Sequence, residues 1–173
     1  MKGSYVIGIT SADEKADFLK SIGADHVINY KKEDLDSVLK ESYPEGVDVI
    51  WETIGGKTFE MLFDHLALHG RLITLGGISG YLEDGFPEVR IDHMTLLLNS
   101  LTVIGFKFFD NINHMPGYSQ QLISLIDEGK LKVKLDQGEK TAGGLFMGLE
   151  GCIRAVEHLI RGKNVGRVIV QIN

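Results

Sequence analysis

The sequence is poor in cysteine, in proline and in long hydrophobic runs. Its single cysteine, Cys152, excludes an internal disulfide and favours a reducing compartment. Only three prolines occur and no segment is of low complexity, which argues against a disordered chain. No apolar stretch approaches the roughly 20 residues of a membrane-spanning helix. We therefore predict a cytoplasmic protein without a membrane partner, and leave the peroxisome and the mitochondrion open as alternatives.

An excess of positive charge is also missing. The 18 lysines and arginines are outnumbered by 24 aspartates and glutamates, so the net charge is -6. Nucleic acids and anionic membranes both select basic patches. We therefore expect neither as a partner and predict a small-molecule ligand instead. The 173 residues, 43% of them hydrophobic, suffice for one domain, or for one domain and part of another.

Short apolar runs alternate with segments of helical period through the first 110 residues. Strands are predicted at residues 5–10, 26–30, 47–54, 71–75 and 101–109. Helices are predicted before Gly23 and at residues 34–42, 58–69 and 94–99, with a longer loop at 81–90. This rhythm is typical of right-handed βαβ units, and near-continuous apolar strands are typical of a sheet covered on both faces. The predicted fold is a Rossmann-like, doubly wound parallel α/β sheet.

Two helix boundaries are predicted from local signals. Ser11 and Glu14 have the spacing of a capping box at the start of the first helix. Thr58 is expected to cap the third helix, which continues to about residue 69 and buries Leu66.

The rhythm changes after residue 110. We predict a helix at residues 118–128, a strand at 131–135, a helix at 149–161 and a strand at 165–172. The boundary is placed near residues 109–117. Residues 1–110 are thus predicted to form part of a dinucleotide-binding domain, and residues 111–173 a separate C-terminal segment.

Polar residues follow the first two predicted strands, where open parallel sheets bind ligands. Ser11 follows the first strand, Lys15 lies one helical turn later, and Tyr30 follows the second strand. A site that prefers NAD usually has an acid at the end of such a strand, whereas two hydroxyls and a lysine suit a 2′-phosphate. The alternative is a capped helix with a solvated lysine, and Asp13 and Glu14 also weaken the positive potential.

Glycine-containing turns follow the third and fourth strands, at residues 53–56 and 76–81. Glycines there allow a backbone to approach a flat cofactor ring, although each turn taken singly favours a tight strand-to-helix connection. Two such turns in consecutive units favour a site. For the other reactive residues, the sequence indicates no catalytic or metal-binding role. The six histidines lack the paired spacing of metal ligands, Cys152 is expected to be an inert buried thiol, and nothing marks Asp48 and Glu52 as an acid–base pair.

A set of motifs in this order and spacing resembles a known family. They are SADEK at 11–15, INYK at 28–31, YPEGVDVIWETIGG at 43–56, GRLI at 70–73, ISGY at 78–81, GLE at 148–150 and GKNVGR at 162–167. The chain is similar over essentially its whole length to the medium-chain dehydrogenase/reductase superfamily, on its zinc-free quinone oxidoreductase and prostaglandin reductase branch.

The resemblance implies NADPH as cofactor and no metal. It implies hydride transfer from NADPH to the β-carbon of an α,β-unsaturated ketone, or to a quinone. The residues that it implies for 2′-phosphate binding are Ser11, Lys15 and Tyr30. Those that it implies along the rest of the cofactor are Thr53, Leu75, Gly76, Tyr81, Phe106, Lys107, Phe108 and Asn164. A homodimer through residues 101–108 is also implied.

Tyr81 is the one residue for which the resemblance implies a catalytic role. It is similar in place to a tyrosine that hydrogen-bonds the enone oxygen, where a hydroxyl donor would stabilise the developing enolate. The alternative is a loop tyrosine that packs on the turn.

The glycine-rich G-x-G-x-x-G loop is missing, and with it the usual grip on the pyrophosphate. Family members precede the segments found here with a catalytic domain, a strand, that loop and a helix. We therefore expect a C-terminal fragment that is inactive alone, whose missing strand lies between the first and fourth strands found here. The alternative is a non-catalytic α/β module that keeps the scaffold for interaction or for adenosine-phosphate binding.

Overall fold

A computed structural model describes residues 3–81 and 85–172 of the chain. Residues 82–84 of the predicted loop at 81–90 lie outside this description. The described chain forms two compact units, one of Met1–Glu33 with Gly117–Asn173 and the other of Asp34–Pro116. The assignment of residues 1–110 and 111–173 to different domains stays a prediction.

Strands and helices alternate through most of the chain. In chain order they are β1 (Ile7–Thr10), α1 (Asp13–Ser21), β2 (His26–Asn29), α2 (Leu35–Ser42), β3 (Val47–Glu52), α3 (Gly56–Asp64), β4 (Leu66–Thr74), α4 (His93–Leu98), β5 (Thr102–Gly105), α5 (Met115–Asp127), β6 (Leu135–Asp136), α6 (Gly148–Ile160) and β7 (Arg167–Val168). Short 3-10 helices lie at Ile78–Tyr81 and Phe108–His114. All strand pairs are parallel among these elements, which confirms the predicted Rossmann-like α/β class.

In the first unit, β1 pairs with β2 from Ile7 opposite His26 to Thr10 opposite Asn29. Helix α1 follows β1 and buries Ala16. The capping-box prediction was wrong, because Ala12 occupies the N-cap in an extended conformation and makes no side-chain cap bond. The Ser11 hydroxyl therefore lies one residue too early to cap the helix.

The C-terminal part of the first unit contains less strand than predicted. The strands expected at 131–135 and 165–172 reduce to the two-residue pair β6 and β7. The side chain of Asp136 accepts hydrogen bonds from the backbone N–H groups of Gly138 (3.0 Å) and Val165 (2.8 Å). These two N–H groups are therefore satisfied by a carboxylate and not by the backbone of a longer strand pair. The helix predicted at 149–161 is confirmed as α6, with Ala155 buried.

In the second unit, β4 lies between β3 and β5. The prediction that the third helix continues to residue 69 was wrong, because α3 ends at Asp64 and Leu66 already pairs with Val47 of β3. Apolar residues at 62, 63 and 66 satisfy helical spacing as well as a short buried strand does, so periodicity could not separate the two. The N-cap of α3 is Gly55 and not Thr58.

The strand order corrects one further expectation. Among the described residues β4 has a partner on both edges, so a further strand cannot lie beside the fourth strand of the chain. Among the described strands, β1 pairs only with β2, and β3 pairs only with β4. An additional strand would therefore have to pair at an edge strand of one of these sheets.

Candidate functional site

Because β1 and β2 are parallel and end in register, Ser11 and Tyr30 both lie at the carboxyl end of this two-stranded sheet. The backbone N–H of Tyr30 donates to the carbonyl of Thr10 at 3.0 Å, so the two strands end in register. Ser11 is half-buried and Tyr30 is 52% exposed, which leaves the tyrosine accessible to a ligand. We call Ser11, Lys15, Tyr30 and Lys31 the Lys15 cluster.

Lys15 is half-buried on α1 and its ammonium donates to the carbonyl of Gly162 at 2.7 Å. Burial holds the pKa of Lys15 below its usual range, the like charge of Lys31 lowers it further, and Asp136 opposes the shift. Both main causes disfavour the charged ammonium, and a bound anion would relieve the repulsion. The electrostatics of the cluster therefore favour an anionic ligand.

The two acids beside Lys15 have other partners. Asp13 accepts a hydrogen bond from the Asn29 side chain at 2.9 Å and forms an ion pair with Lys32 at 2.5 Å, and these two contacts lower its pKa. Glu14 forms an ion pair with Lys140. The weakening of the positive potential that the sequence suggested is therefore partly offset by two further lysines.

Asn164 lies in the segment that Lys15 contacts. Its side-chain amide donates to the carbonyl of Gly166 at 2.9 Å, and the side chain is half-buried. The contact between Lys15 and Gly162 joins residues 147 positions apart. Sequence reasoning missed Gly162 as a partner of Lys15, because no local pattern signals a contact between an early helix and a late loop.

In the second unit, the turns after β3 and β4 are hydrogen-bonded to each other. The backbone N–H of Ile78 donates to the carbonyl of Thr53 at 3.0 Å, and the N–H and hydroxyl of Ser79 both donate to the carbonyl of Ile54, at 3.0 and 2.7 Å. Residues 53–56 and 75–81 thus form a single surface, which we call the two-turn platform. It contains four of the predicted cofactor residues, which are Thr53, Leu75, Gly76 and Tyr81.

Close packing explains a glycine in this platform. Gly55 has φ 81°, and a Cβ there would stand 3.2 Å from the Cα of Gly77. Thr53 and Gly76 are both exposed, so the platform presents backbone and a small side chain to a ligand.

Tyr81 ends the platform and is 75% exposed. Its ring contacts Phe86 edge-on, with centroids 5.5 Å apart, and Phe86 packs so tightly on Gly80 that a Cβ there would lie 2.3 Å from the Phe86 ring. The ring contact agrees with a tyrosine that packs locally, and the exposure leaves its hydroxyl accessible. The catalytic role of Tyr81 stays a prediction.

The segment after β5 lies in the same unit as the platform. The ring of Phe106 lies 6.1 Å from that of Trp51. Lys107 forms an exposed ion pair with Asp110 at 3.5 Å, and Phe108 is half-exposed. The structure therefore places Phe106, Lys107 and Phe108 with the platform residues in the second unit, and Ser11, Lys15, Tyr30 and Asn164 in the first.

The described residues contain neither a metal-ligand cluster nor a membrane-spanning helix. Within residues 3–81 and 85–172, no group of three or more histidine, cysteine, aspartate or glutamate side chains could hold a metal ion. No helix in that part of the chain is both long and apolar enough to cross a bilayer.

A cavity of about 580 Å³ in the first unit is lined in part by Phe146 and by the hydrogen-bonded pair of His158 and Asp136.

Comparison with known proteins gives consistent matches. Prostaglandin reductase-3 of Mus musculus is 40% identical over 171 residues, which are 97% of this chain and 45% of the mouse protein. A probable quinone oxidoreductase of Leishmania amazonensis is 40% identical over 175 residues, covering 98% of this chain and 50% of that protein. The crystal structure of CurA from Vibrio vulnificus in complex with NADPH matches 99% of this chain and 50% of its own, with a TM-score of 0.82 and 29% identity.

The chain spans about half the length of these relatives. A family model described as zinc-binding dehydrogenase matches residues 1–128, which are most of the chain. The superfamily that the motifs predicted is confirmed by this match. The chain belongs to the zinc-binding dehydrogenase family, within the medium-chain dehydrogenase/reductase superfamily.

Proposed function

We propose that the whole protein acts as an NADPH-dependent oxidoreductase that reduces the C=C bond of α,β-unsaturated ketones, or quinones, and that this chain by itself is inactive. The observation that carries this proposal is the Lys15 cluster, in which Ser11 and Tyr30 follow two paired strands and the half-buried Lys15, with its lowered pKa, lies on the helix that follows Ser11. The names of the two relatives given above, and the NADPH bound to CurA, support the same assignment.

The residues of each unit would have separate roles toward the cofactor. In the first unit, Lys15 would supply a point charge to the 2′-phosphate and Ser11 and Tyr30 would donate hydroxyl hydrogen bonds to it. Asn164 would contribute its amide. Ser11, where an NAD site has an acid, leaves the 2′-phosphate without a repelling carboxylate.

In the second unit, the two-turn platform would support the nicotinamide half of the cofactor, with Phe106, Lys107 and Phe108 beside it. NADPH, when bound, supplies the hydride. Tyr81 would donate a hydrogen bond to the substrate oxygen as negative charge develops there, and so stabilise the enolate. The described residues do not fit a zinc site, and no step of the proposal uses a metal.

Turnover tests this proposal. The whole protein is supplied with NADPH and either an aliphatic enone or a benzoquinone, and NADPH oxidation is followed by absorbance, with NADH as the matched control. Faster oxidation of NADPH than of NADH, with at least one of the two acceptors, is expected. Binding of NADPH without turnover of either acceptor would instead support the alternative of a non-catalytic module that binds adenosine phosphates.

We also propose a homodimer that forms through the edge strand predicted at 101–108, and a cytoplasmic location. The support for the dimer is that β5 pairs with β4 on one edge alone among the described strands.

A further inference from the structure

Glu52 is a buried carboxylate at the end of β3, and it is 1% exposed. We propose that Glu52 is a positioning residue that fixes the two-turn platform in the conformation that the cofactor needs. This inference rests on the proposed function for its catalytic consequence, although the geometry that carries it is local to the second unit.

The carboxylate determines the path of the first turn. One oxygen, Oε1, accepts hydrogen bonds from the backbone N–H groups of Ile54 at 2.5 Å and of Gly55 at 2.7 Å. The carbonyl of Ile54 in turn accepts the two hydrogen bonds from Ser79. The same peptide segment is thus held on one side by Glu52 and on the other by the second turn.

Glu52 also contacts the strand that carries the second turn. Its other oxygen, Oε2, accepts a long hydrogen bond of 3.5 Å from the hydroxyl of Thr74, the last residue of β4. Its own backbone carbonyl accepts the N–H of Leu75 at 3.0 Å. One residue therefore joins both turns, through its side chain and through its backbone.

The first turn needs such a constraint. Gly55 and Gly56 have positive φ values of 81° and 55°, which glycine adopts without steric cost but does not prefer over negative values. A free Gly-Gly turn would sample many conformations, and two charge-assisted hydrogen bonds select one of them. A buried carboxylate carries a desolvation penalty, and its hydrogen bonds to the backbone offset that penalty.

The proposal separates Glu52 from the catalytic residues. Its carboxylate is buried beneath the turn, whereas Thr53 and Gly76 are exposed on the platform. Loss of the carboxylate should therefore disturb the platform, and with it kcat. It should leave the preference for NADPH over NADH unchanged, because that preference is assigned to Lys15 in the other unit.

The test compares Glu52→Gln with Glu52→Ala. Glutamine keeps an amide oxygen for the two N–H groups and an amide donor for Thr74, whereas alanine removes both. Amide hydrogen exchange by NMR reports the turn, and kcat and the NADPH-to-NADH affinity ratio report function. In the alanine variant we expect exchange at Ile54 and Gly55 to accelerate at least about tenfold, since a hydrogen bond to a charged group is lost. We also expect kcat to fall about tenfold or more at an unchanged affinity ratio, with glutamine restoring both.

Several outcomes would overturn the inference. One is that amide exchange at Ile54 and Gly55 is unchanged in the alanine variant. Another is that exchange accelerates equally at every amide, because this indicates a general loss of stability. If the alanine variant does not fold, Glu52→Met replaces it, because methionine fills a similar buried volume but has no oxygen to accept either N–H group, and wild-type exchange and kcat there would contradict the proposal. Absence of turnover by the whole wild-type protein counts against the proposed function, while the exchange measurement still decides whether Glu52 fixes the turn.

Discussion

At the scale of the residue, the proposed function assigns the 2′-phosphate to Lys15. Its substitution by alanine removes a charge-assisted hydrogen bond worth about 1.5–3 kcal/mol. At about 1.4 kcal/mol per factor of ten, we expect NADPH affinity to fall roughly 10- to 100-fold and NADH affinity to stay the same. A fluorescence titration measures both, because Trp51 is the single tryptophan. The control is Lys20→Ala, on an exposed position of the same helix, and an equal loss for both cofactors would contradict the assigned role.

The lowered pKa of Lys15 also predicts how cofactor preference depends on pH. Burial and Lys31 make the free ammonium lose its proton below the usual lysine pKa of 10.5, whereas a phosphate dianion binds the protonated form. NADPH affinity should therefore fall as pH rises through the lowered pKa, while NADH affinity stays flat. Removing the like charge by Lys31→Ala should move this fall to higher pH. Titrations from about pH 7 to the usual lysine pKa of 10.5 test it, and an NADPH-to-NADH ratio that is constant over that range would exclude Lys15 as the group responsible.

At the scale of the element, the turn after β3 depends on its glycine backbone. Gly55→Ala places a side chain at φ 81° and brings its Cβ to 3.2 Å from the Cα of Gly77. With its ψ of -172°, Gly55 lies in a region that is essentially restricted to glycine, so we expect a loss of about 1–3 kcal/mol in the free energy of unfolding, measured by urea denaturation. Gly117→Ala is the matched control, because Gly117 lies in α5 with open space around it and should gain about 0.5–1 kcal/mol. A stability change of the same sign in both variants would count against a strained turn.

The helices and strands also show how much of the fold the local sequence pattern predicts. Apolar runs were sufficient to predict the parallel strands and most helices, because burial requires those runs whatever their neighbours are. The ends of elements were less predictable. Leu66 belongs to β4 because it pairs with Val47, and the capping position falls at Ala12 because Asp13 begins the helix. Both outcomes depend on partners that the local sequence does not reveal.

At the scale of the whole molecule, the proposed dimer depends on the edge of β5 that has no partner among the described strands, which we call the free edge. The N–H of Phe106 points to β4, and alternate residues of a strand point to opposite edges, so the N–H of Gly105 faces the free edge. Gly105→Pro removes that donor and should convert a dimer to a monomer in sedimentation velocity. Gly105→Ala keeps the donor, has open space for its Cβ and should remain dimeric. A monomeric wild-type protein would refute the proposed interface.

The sequence by itself determined the fold class and the family, and it predicted the residue types of the proposed site, including serine where an acid would select NAD. Those properties follow from burial patterns and from chemistry carried by single residues and short motifs. Only the tertiary structure decided that Lys15 contacts Gly162, that Asp13 and Glu14 pair with other lysines, and that Glu52 joins two turns. Each of these depends on hydrogen-bonding geometry between elements, and that geometry exists only once the strands and helices have packed.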